Sequence, residues 1–240
     1  MAATVANLST QSKLSIDRSH WEGSIAKLIK QALSHHEVYT VTINGLSISI
    51  HPNVYSPLYF PESAWYAQQL EGIVNGKTFL EVGVGSGIIA LHVARTGSKV
   101  YGVDINPDAV AITQKNFEMN GFEGDIRQSD LFIALDHGTK VDYIFWNHPW
   151  QISSTVVEEL RTEKTLDKGY EALSSYIRDG HTYLNDGGSI LIGTSCYADL
   201  DSLNHIALRY GYGAVVVAAQ GESHLADGTR EIYYILRLEK

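Results

Sequence analysis

This sequence of 240 residues has little cysteine and no concentration of positive charge. Its single cysteine, Cys196, excludes an intrachain disulfide and fits a reducing compartment, and we expect a small buried residue there rather than a nucleophile. The 18 basic residues are outnumbered by 27 acidic ones, giving a net charge of −9, and they form no run. Because nonspecific nucleic-acid affinity comes from lysine and arginine, this balance disfavours duplex DNA, while a local RNA-binding patch stays open.

Long apolar runs are absent as well. Residues 1–12 are small and polar, without the apolar core of a signal peptide, and no segment approaches the ~20 apolar residues of a membrane span. We therefore expect a soluble, cytoplasmic protein. With 44% apolar residues the chain can bury one sizeable core, in a main domain with an appendage. We expect residues 1 to about 15 to be disordered, since they have nothing to bury.

The most informative segment runs from Phe79 to Gly87, where an apolar strand leads into glycines at positions 83, 85 and 87. A helical pattern begins directly afterwards, at Ile88. Glycine is needed where a turn takes positive φ and where the backbone approaches a ligand closely. A helix N-terminus behind such a turn offers unpaired N–H groups and the positive end of a dipole. The segment therefore predicts a site for a nucleotide-like cofactor.

Neighbouring residues indicate which cofactor this is. The dinucleotide-binding fingerprint G-x-G-x-x-G requires glycine at position 88, where this chain has Ile88. Glu81, two residues ahead of the first glycine, would repel a pyrophosphate but could hold the ammonium group of S-adenosylmethionine. The next strand ends at Asp104, about 20 residues past the glycines, where a carboxylate can hydrogen-bond ribose hydroxyls.

This combination of strand, acid, glycines and second acid resembles the class I S-adenosylmethionine-dependent methyltransferases. The resemblance implies that S-adenosylmethionine is the cofactor, with its methionine end at Glu81 and the glycine loop and its ribose at Asp104. A tight turn without any ligand is the alternative interpretation. The predicted cofactor contacts in this part of the chain are Glu81, Gly83, Gly85, Ser86, Gly87, Asp104 and Ile105.

From residue 78 onward, predicted strands alternate with predicted helices. The strands lie near 78–82, 99–103, 124–127, 141–146, 188–194, 213–220 and 229–238, and the helices near 87–96, 107–119, 169–184 and 199–210. Apolar strands between helices imply a parallel sheet covered on both faces. Only residues 221–228 separate the last two strands, too few for a crossover helix, so these strands should pair antiparallel. The predicted fold class is α/β, with a doubly wound, mostly parallel seven-stranded sheet and an antiparallel C-terminal hairpin.

The first 60 residues are predicted to form an N-terminal extension, followed by a methyltransferase domain over 61–240. Ser19 to Glu22 fit a capping box at the start of a helix that should end near His35 and His36. Adjacent histidines do not share a helix face, so we predict no metal site there. Two β-branched runs then flank Asn44-Gly45, the preferred type I′ hairpin turn. A helix from about 62 to 73 follows.

A second constellation follows the fourth strand, in the tetrapeptide Asn147-His148-Pro149-Trp150. Ligands of open α/β sheets bind outside the carboxyl ends of the strands, so these residues should face the same crevice as the glycine loop. They resemble the (Asn/Asp)-Pro-Pro-aromatic signature of methyltransferases that act on planar NH2 groups. The resemblance implies that the Asn147 side-chain oxygen and the His148 carbonyl hold the acceptor nitrogen. It also implies that Trp150 stacks on the substrate, an interaction worth ~1–3 kcal/mol for a base.

His148 departs from that signature, because it stands in the place of the first proline. Its carbonyl stays available, and Pro149 still favours an extended conformation at residue 148. With an unperturbed pKa near ~6.5, the ring could contact the substrate or take up a proton at neutral pH. A purely structural role is the alternative.

Further residues enter through resemblance to the methyltransferase small-domain family, which includes release-factor glutamine and RNA guanine-N2 methyltransferases. Val54-Tyr55-Ser56-Pro57 resembles its Val-Phe-x-Pro segment, and this implies a cleft wall that carries the substrate-binding candidates Tyr55, Pro57, Tyr59 and Phe60. The alternative is that these residues only pack a loop. Ser129-Asp130-Leu131-Phe132 resembles the family loop after strand three, which implies that Asp130, with Leu131 beside it, contacts the adenine.

Taken together, these features predict an N-methyltransferase that acts on a planar or amide-like NH2. The predicted acceptor is a small molecule, an amino acid or peptide, or a protein side chain. The net charge of −9 favours it, and the single helix and hairpin ahead of the cleft replace both the longer N-terminal helical domain usual in release-factor enzymes and the RNA-binding domain usual in the RNA enzymes. Two alternatives stay open: an RNA base N-methyltransferase, and a methyltransferase-fold binding protein that has lost catalysis through His148. A nicotinamide oxidoreductase is a third, but no residues for hydride transfer are evident. The sequence does not specify the oligomeric state.

Overall fold

The computed structural model describes residues 4–5, 18–151, 165–220, 223–225 and 228–240. The chain forms two compact units. One comprises Met1–Lys30, Asn147–His181 and Ser189–Lys240, and the other comprises Gln31–Trp146 and Thr182–Gly188. The predicted division into 1–60 and 61–240 stays a prediction.

The helix and hairpin predicted near the N-terminus are both present. Helix α1 spans Arg18–Leu33, so Ser19 lies within the helix, and the prediction that it is the N-cap residue is wrong. Strands β1 (Tyr39–Ile43) and β2 (Leu46–Ile50) pair antiparallel. Asn44 and Gly45 have φ of 50° and 83°, as a type I′ turn requires. The hairpin prediction is therefore confirmed.

The predicted α/β fold is confirmed. A mostly parallel sheet of seven strands has the order β5-β4-β3-β6-β7-β11-β8. Its strands are β3 (Phe79–Val82), β4 (Val100–Asp104), β5 (Asp125–Gln128), β6 (Val141–Asn147), β7 (Leu184–Ser195), β8 (Gly213–Ala219) and β11 (Tyr233–Glu239). The other helices in the described residues are α2 (Glu62–Val74), α3 (Ile88–Ala94), α4 (Pro107–Asn120), α5 (Glu171–Gly180) and α6 (Leu200–Arg209).

The parallel register aligns the ends of three strands that carry predicted site residues. Strand β3 pairs with β4 up to Val82 opposite Val103, and with β6 up to Val82 opposite Trp146. Strand β3 is buried throughout, as expected for a central strand with both faces covered. The carboxyl ends of β3, β4 and β6 therefore lie next to one another.

The antiparallel C-terminal hairpin is also confirmed, because β11 pairs antiparallel with both β8 and β7. The predicted strand over 229–238 is divided, however. Strand β10 (Arg230–Glu231) pairs instead with β9 (Ser223–His224). Next to this small separate ladder, the Leu225 N–H donates to the Thr229 carbonyl at 2.8 Å.

Two other expectations need correction. The helix predicted over 169–184 ends at Gly180. Strand β7 begins at Leu184, four residues before the predicted start at 188, because Asn185 and Asp186 already belong to the strand. The disorder predicted for residues 1 to about 15 is wrong at Thr4, which bridges to Val215, and at Val5, which is buried. Residues 1–3 and 6–15 lie outside the described residues.

Within the described part of the chain, no helix has both the length and the apolar character to cross a membrane.

Candidate functional site

The glycine loop joins β3 to α3, and all three of its glycines have positive φ. The values are 65° at Gly83, 57° at Gly85 and 79° at Gly87. A Cβ atom on Gly83 would lie 2.9 Å from Trp146 Nε1, and one on Gly87 would lie 2.7 Å from Thr113 Cγ2. Both the backbone conformation and the neighbouring side chains therefore require glycine at these two positions.

Glu81 is a buried carboxylic acid just ahead of this loop. Its side chain is 3% exposed, and its Oε2 atom has no hydrogen-bond partner among the described residues. Burial raises the pKa of Glu81 well above its usual range, the Ala90 backbone opposes this shift, and the charge of Asp104 adds to it. A buried oxygen without a partner is costly unless a ligand completes its hydrogen bonding. A cationic group such as an ammonium fits this position.

Asp104 ends β4 and holds two backbone N–H groups. Its Oδ2 accepts from Gly85 N at 2.9 Å, and its Oδ1 accepts from Asn106 N at 2.9 Å. A carboxylate offers about four acceptor sites in all, and the ribose hydroxyls of a nucleoside are donors that could bond to it. The next residue, Ile105, is 57% exposed, so its side chain is accessible to a ligand. The ribose and Ile105 assignments stay predictions.

The loop after β5 is tied to the same strand end. The Ser129 N–H donates to the Asp104 carbonyl at 2.9 Å. Asp130 is exposed, and Leu131 has φ of 46°, an uncommon conformation for a residue with a branched side chain. The structure thus brings Asp130 and Leu131 close to Asp104, as the predicted adenine contact requires, while the contact itself stays a prediction.

The predicted wall segment is anchored at the start of α4. Asn106 Nδ2 donates to the Asn53 carbonyl, and Asn53 Nδ2 donates to Asp108, each at 2.9 Å. Val54 packs against Ala109 and Ile112 on the same helix. These contacts bring the segment to the loop that follows Asp104.

The four wall candidates differ in how they are held. Tyr55 stacks on Phe60 at 4.2 Å between ring centroids and donates from its hydroxyl to Glu62 at 2.6 Å. The Tyr59 hydroxyl lies 2.7 Å from Nε2 of His35. Phe60 and Pro57 are buried, whereas Tyr55 and Tyr59 are half-buried. The two tyrosines are therefore the better candidates for a ligand contact, with Phe60 supporting Tyr55.

Two buried residues of α4 shape the glycine loop and were not predicted from the sequence. Thr113 Oγ1 donates to the Gly85 carbonyl at 2.9 Å. Asn116 Nδ2 donates to the carbonyls of Ser86 and Ser49, both at 2.8 Å, and its Oδ1 accepts from Ser49 N. The available signal was their helical spacing, since Thr113 and Asn116 are three residues apart and continue the buried face of the helix.

In the other unit, Asn147 is the last residue of β6. Its Oδ1 atom is buried and has no hydrogen-bond partner among the described residues. An asparagine oxygen in this state is available to accept a hydrogen bond from a ligand. This is the atom predicted to hold the acceptor nitrogen.

His148 is buried next to Tyr170 and Thr194. Its Nε2 atom lies 3.4 Å from Thr194 Oγ1, and its ring meets Tyr170 edge-on at 5.1 Å. Burial lowers the pKa of His148 to about 3, opposed by an interaction with the Pro149 backbone. The ring is therefore neutral at neutral pH. This burial favours the structural role over proton uptake, while the role of Pro149 stays a prediction.

Trp150, predicted to stack on the substrate, already has aromatic neighbours in its own unit. Its ring lies 6.4 Å from that of Trp21 and 6.1 Å from that of Tyr233. Its carbonyl accepts from the Tyr170 hydroxyl at 2.7 Å, whereas its Nε1 has no partner among the described residues. The stacking role stays a prediction.

Cys196 is the residue directly after β7. It is buried, and burial raises the pKa of its thiol to about 11. A thiol protonated at neutral pH is a poor nucleophile, which agrees with the expectation of a packing residue.

Comparison with known proteins relates this geometry to a family. A family model described as the methyltransferase small domain matches residues 45–222. A candidate protein N5-glutamine methyltransferase from Methanocaldococcus jannaschii is 30% identical over 175 residues, which cover 69% of this chain and 85% of that protein. The release factor glutamine methyltransferase of Geobacter sulfurreducens is 27% identical over 71% of this chain, which spans 63% of that relative's length.

Solved structures with low identity share the fold. A 16S rRNA N2 G1207 methyltransferase from T. thermophilus, in complex with AdoMet and guanosine, matches with a TM-score of 0.59 and 21% identity. The match covers 85% of this chain and 50% of that one.

Proposed function

Since this chain belongs to the methyltransferase small domain family and is an S-adenosylmethionine-dependent methyltransferase, we propose that its acceptor is the carboxamide NH2 of a glutamine side chain in a protein or peptide. One observation carries the proposal: the buried Oδ1 of Asn147 has no partner among the described residues and lies in the sequence Asn147-His148-Pro149-Trp150. A primary amide has two N–H donors in one plane, and this oxygen can accept one of them.

The residues around the glycine loop fit the cofactor. Glu81 would hold its ammonium group, Asp104 its ribose hydroxyls, and Asp130, Ile105 and Leu131 its adenine. When bound, S-adenosylmethionine supplies an activated methyl group on a sulfonium sulfur. Glycine at positions 83, 85 and 87 lets the backbone pass close to the ligand, and Asp104 fixes the loop by accepting from Gly85 N.

Asn147 and the His148 carbonyl would orient the acceptor. Each would accept one N–H of the amide and so orient its nitrogen for methylation, in which the nitrogen–carbon bond would form as the carbon–sulfur bond breaks and one amide proton would pass to solvent. Trp146 pairs with Val82 at the end of β3, and Asn147 is the next residue along β6. Methyl transfer is an in-line displacement, for which fixed orientation is the main contribution that a protein can make. His148 stays neutral, so it adds no charge beside the amide.

The charge and the relatives favour a protein acceptor over RNA. Both sequence relatives described above are glutamine methyltransferases by name. The chain has 27 acidic and 18 basic residues, which opposes binding to a polyanion. RNA guanine is the competing acceptor, because the structural relative from T. thermophilus acts on rRNA.

The acceptor class can be tested with tritiated S-adenosylmethionine and a cell extract separated into protein, RNA and small-molecule fractions. We expect label in the protein fraction, and mass spectrometry should place it on a glutamine side chain. A release factor serves as the first purified substrate. Label confined to RNA or to small molecules would contradict the glutamine proposal.

The clamp itself can be tested with Asn147→Ala. We expect turnover to fall by at least about 10²-fold, because the acceptor nitrogen loses its orientation, while cofactor affinity changes little. Turnover is measured by label transfer and affinity by calorimetry. The matched control is Asn185→Ala, an exposed asparagine on β7. If cofactor affinity fell as much as turnover, the clamp assignment would be wrong.

A further inference from the structure

A buried carboxylate, Glu231, joins two aromatic residues in the unit that contains Asn147. Glu231 is 1% exposed. Its Oε1 accepts from Trp21 Nε1 at 2.5 Å, and its Oε2 accepts from the Tyr233 hydroxyl in a short hydrogen bond. Each of these hydrogen bonds ties the polar atom of one ring to an oxygen of the same buried side chain. The carboxylate therefore holds the Trp21 and Tyr233 rings at fixed angles.

Both of these rings are neighbours of Trp150. Trp21 lies 6.4 Å from Trp150 with an interplanar angle of 26°, and Tyr233 lies 6.1 Å away with an angle of 36°. On its other side Trp21 stacks on Tyr197 at 4.5 Å and 10°, and the Tyr197 hydroxyl donates to the Arg230 carbonyl at 2.8 Å. Trp150 thus contacts two aromatic rings whose polar atoms meet at one carboxylate.

Stacking alone would not fix the orientation of Trp150. Aromatic pairs contribute about 0.5–1.5 kcal/mol beyond burial and allow the rings to slide over one another. The Tyr170 hydroxyl holds the Trp150 carbonyl, but that bond restrains the backbone rather than the indole. The two hydrogen bonds to Glu231 restrain the rings on which the indole packs.

We propose that Glu231 is a positioning residue for the methyl acceptor, because it sets the plane of Trp150 through Trp21 and Tyr233. Helix α1 contributes to acceptor recognition through Trp21, the residue that links it to Glu231. The effect on catalysis rests on the proposed function together with the predicted stacking of Trp150 on the acceptor. The effect on the Trp150 ring does not depend on it.

The structural part is tested on the full chain labelled with 5-fluorotryptophan and carrying Glu231→Gln. The four tryptophans, Trp21, Trp65, Trp146 and Trp150, give 19F resonances that single Trp→Phe variants assign. Glutamine presents an NH2 group to one of the two donors, so the resonances of Trp21 and Trp150 should shift or broaden. Those of Trp65 and Trp146 should stay unchanged, as should all four in the control Glu239→Gln, an exposed glutamate on β11.

The kinetic part uses the protein substrate identified by tritium labelling. We expect Glu231→Gln to raise KM for that acceptor, or lower kcat/KM, by about tenfold, with the Kd of S-adenosylmethionine unchanged. An unshifted Trp150 resonance in the folded Glu231→Gln protein overturns the proposal. A kcat/KM of this variant equal to that of wild type also overturns it. If no protein accepts label, the proposed function fails, while the 19F spectrum still decides the role of Glu231.

A second variant keeps the test decisive if Glu231→Gln does not fold. Tyr233→Phe removes one donor to Glu231 and retains the ring. It should shift the Trp150 resonance in the same direction as Glu231→Gln, and more weakly. A folded Tyr233→Phe protein with the wild-type Trp150 resonance would refute the positioning role.

Discussion

Glu81 combines two properties that oppose each other in the free protein. It is buried, which favours the neutral acid and raises its pKa, yet its proposed partner is an ammonium group, which requires the carboxylate. Cofactor binding should therefore remove a proton from Glu81. At a pH below the raised pKa of Glu81, a larger fraction of the protein carries the neutral acid and must lose that proton on binding. The affinity for the cofactor should therefore fall as the pH falls.

This linkage predicts proton release when S-adenosylhomocysteine binds, measured by calorimetry in two buffers of different ionisation enthalpy. Glu81→Gln should abolish the release and weaken binding by about tenfold or more, since a hydrogen bond to a charged group contributes about 1.5–3 kcal/mol. Glu118→Gln changes an exposed glutamate of α4 and should behave as wild type. Equal proton release in wild type and Glu81→Gln would show that another group supplies the proton.

The lowered pKa of His148 predicts how the free energy of unfolding depends on pH. Its pKa is about 3 in the folded protein and near 6.5 when unfolded, so it stabilises the fold above the unfolded pKa. The free energy of unfolding should decrease as the pH falls from about 6.5 toward 3, approaching roughly 1.4 kcal/mol per pH unit from this residue.

Urea denaturation at pH 7, 6 and 5 measures this effect. His148→Asn should flatten the pH dependence, although His92, whose pKa burial also lowers, will leave part of it. His205→Asn, at an exposed position on α6, is the control and should keep the wild-type slope. A His148→Asn slope as steep as that of wild type would contradict the buried, neutral state assigned to His148.

Between elements, α4 joins the β1–β2 hairpin to the glycine loop through side chains that bond to backbone. Asn116 does so in a buried position, bonding Ser49 and Ser86. Asn120, one turn later, makes the same pair of bonds to Ser47 in an exposed position. The chain thus contains a matched pair of asparagine bridges that differ in burial.

Asn116→Ala should lower the free energy of unfolding by about 1–3 kcal/mol per backbone group left without a partner. It should also weaken cofactor binding, because the Ser86 carbonyl loses its restraint. Asn120→Ala should cost much less, since water replaces its bonds. Urea denaturation and calorimetry on both variants provide the measurement. Equal effects of the two substitutions would show that burial is not what makes Asn116 important.

The elements predicted from sequence were those with strong local signals. Asn44-Gly45 specified the first hairpin, because few other dipeptides adopt two positive φ values. The short connection before β11 required antiparallel pairing on geometric grounds alone. The start of β7 was placed four residues late, since Asn185, Asp186 and two glycines resemble a turn. The strand nevertheless includes them, with Gly187 at φ 77°, and Asn185 Nδ2 donates to Asp142 at 3.0 Å, a contact outside the segment.

For the molecule as a whole, the excess of acidic residues bears on the acceptor. A net charge of −9 opposes the approach of RNA, whose binding depends on neutralised phosphates, and does not oppose a neutral glutamine side chain. The net charge favours a protein acceptor over RNA, and the labelling experiment identifies the individual protein.

The sequence alone pointed to Glu81, the three glycines and Asp104 as cofactor contacts, because they are grouped near strand ends and their chemistry is local, and that assignment stays a prediction. Asn147 was found in the same way. The tertiary structure decided which of these residues are buried and which distant residues they contact. In the folded chain, His148 is buried and neutral, and Thr113 and Asn116 bond to the backbone of the glycine loop. Trp21 donates to Glu231, 210 positions away in the chain. Burial and contact between distant residues depend on how the whole chain packs, and no local pattern encodes them.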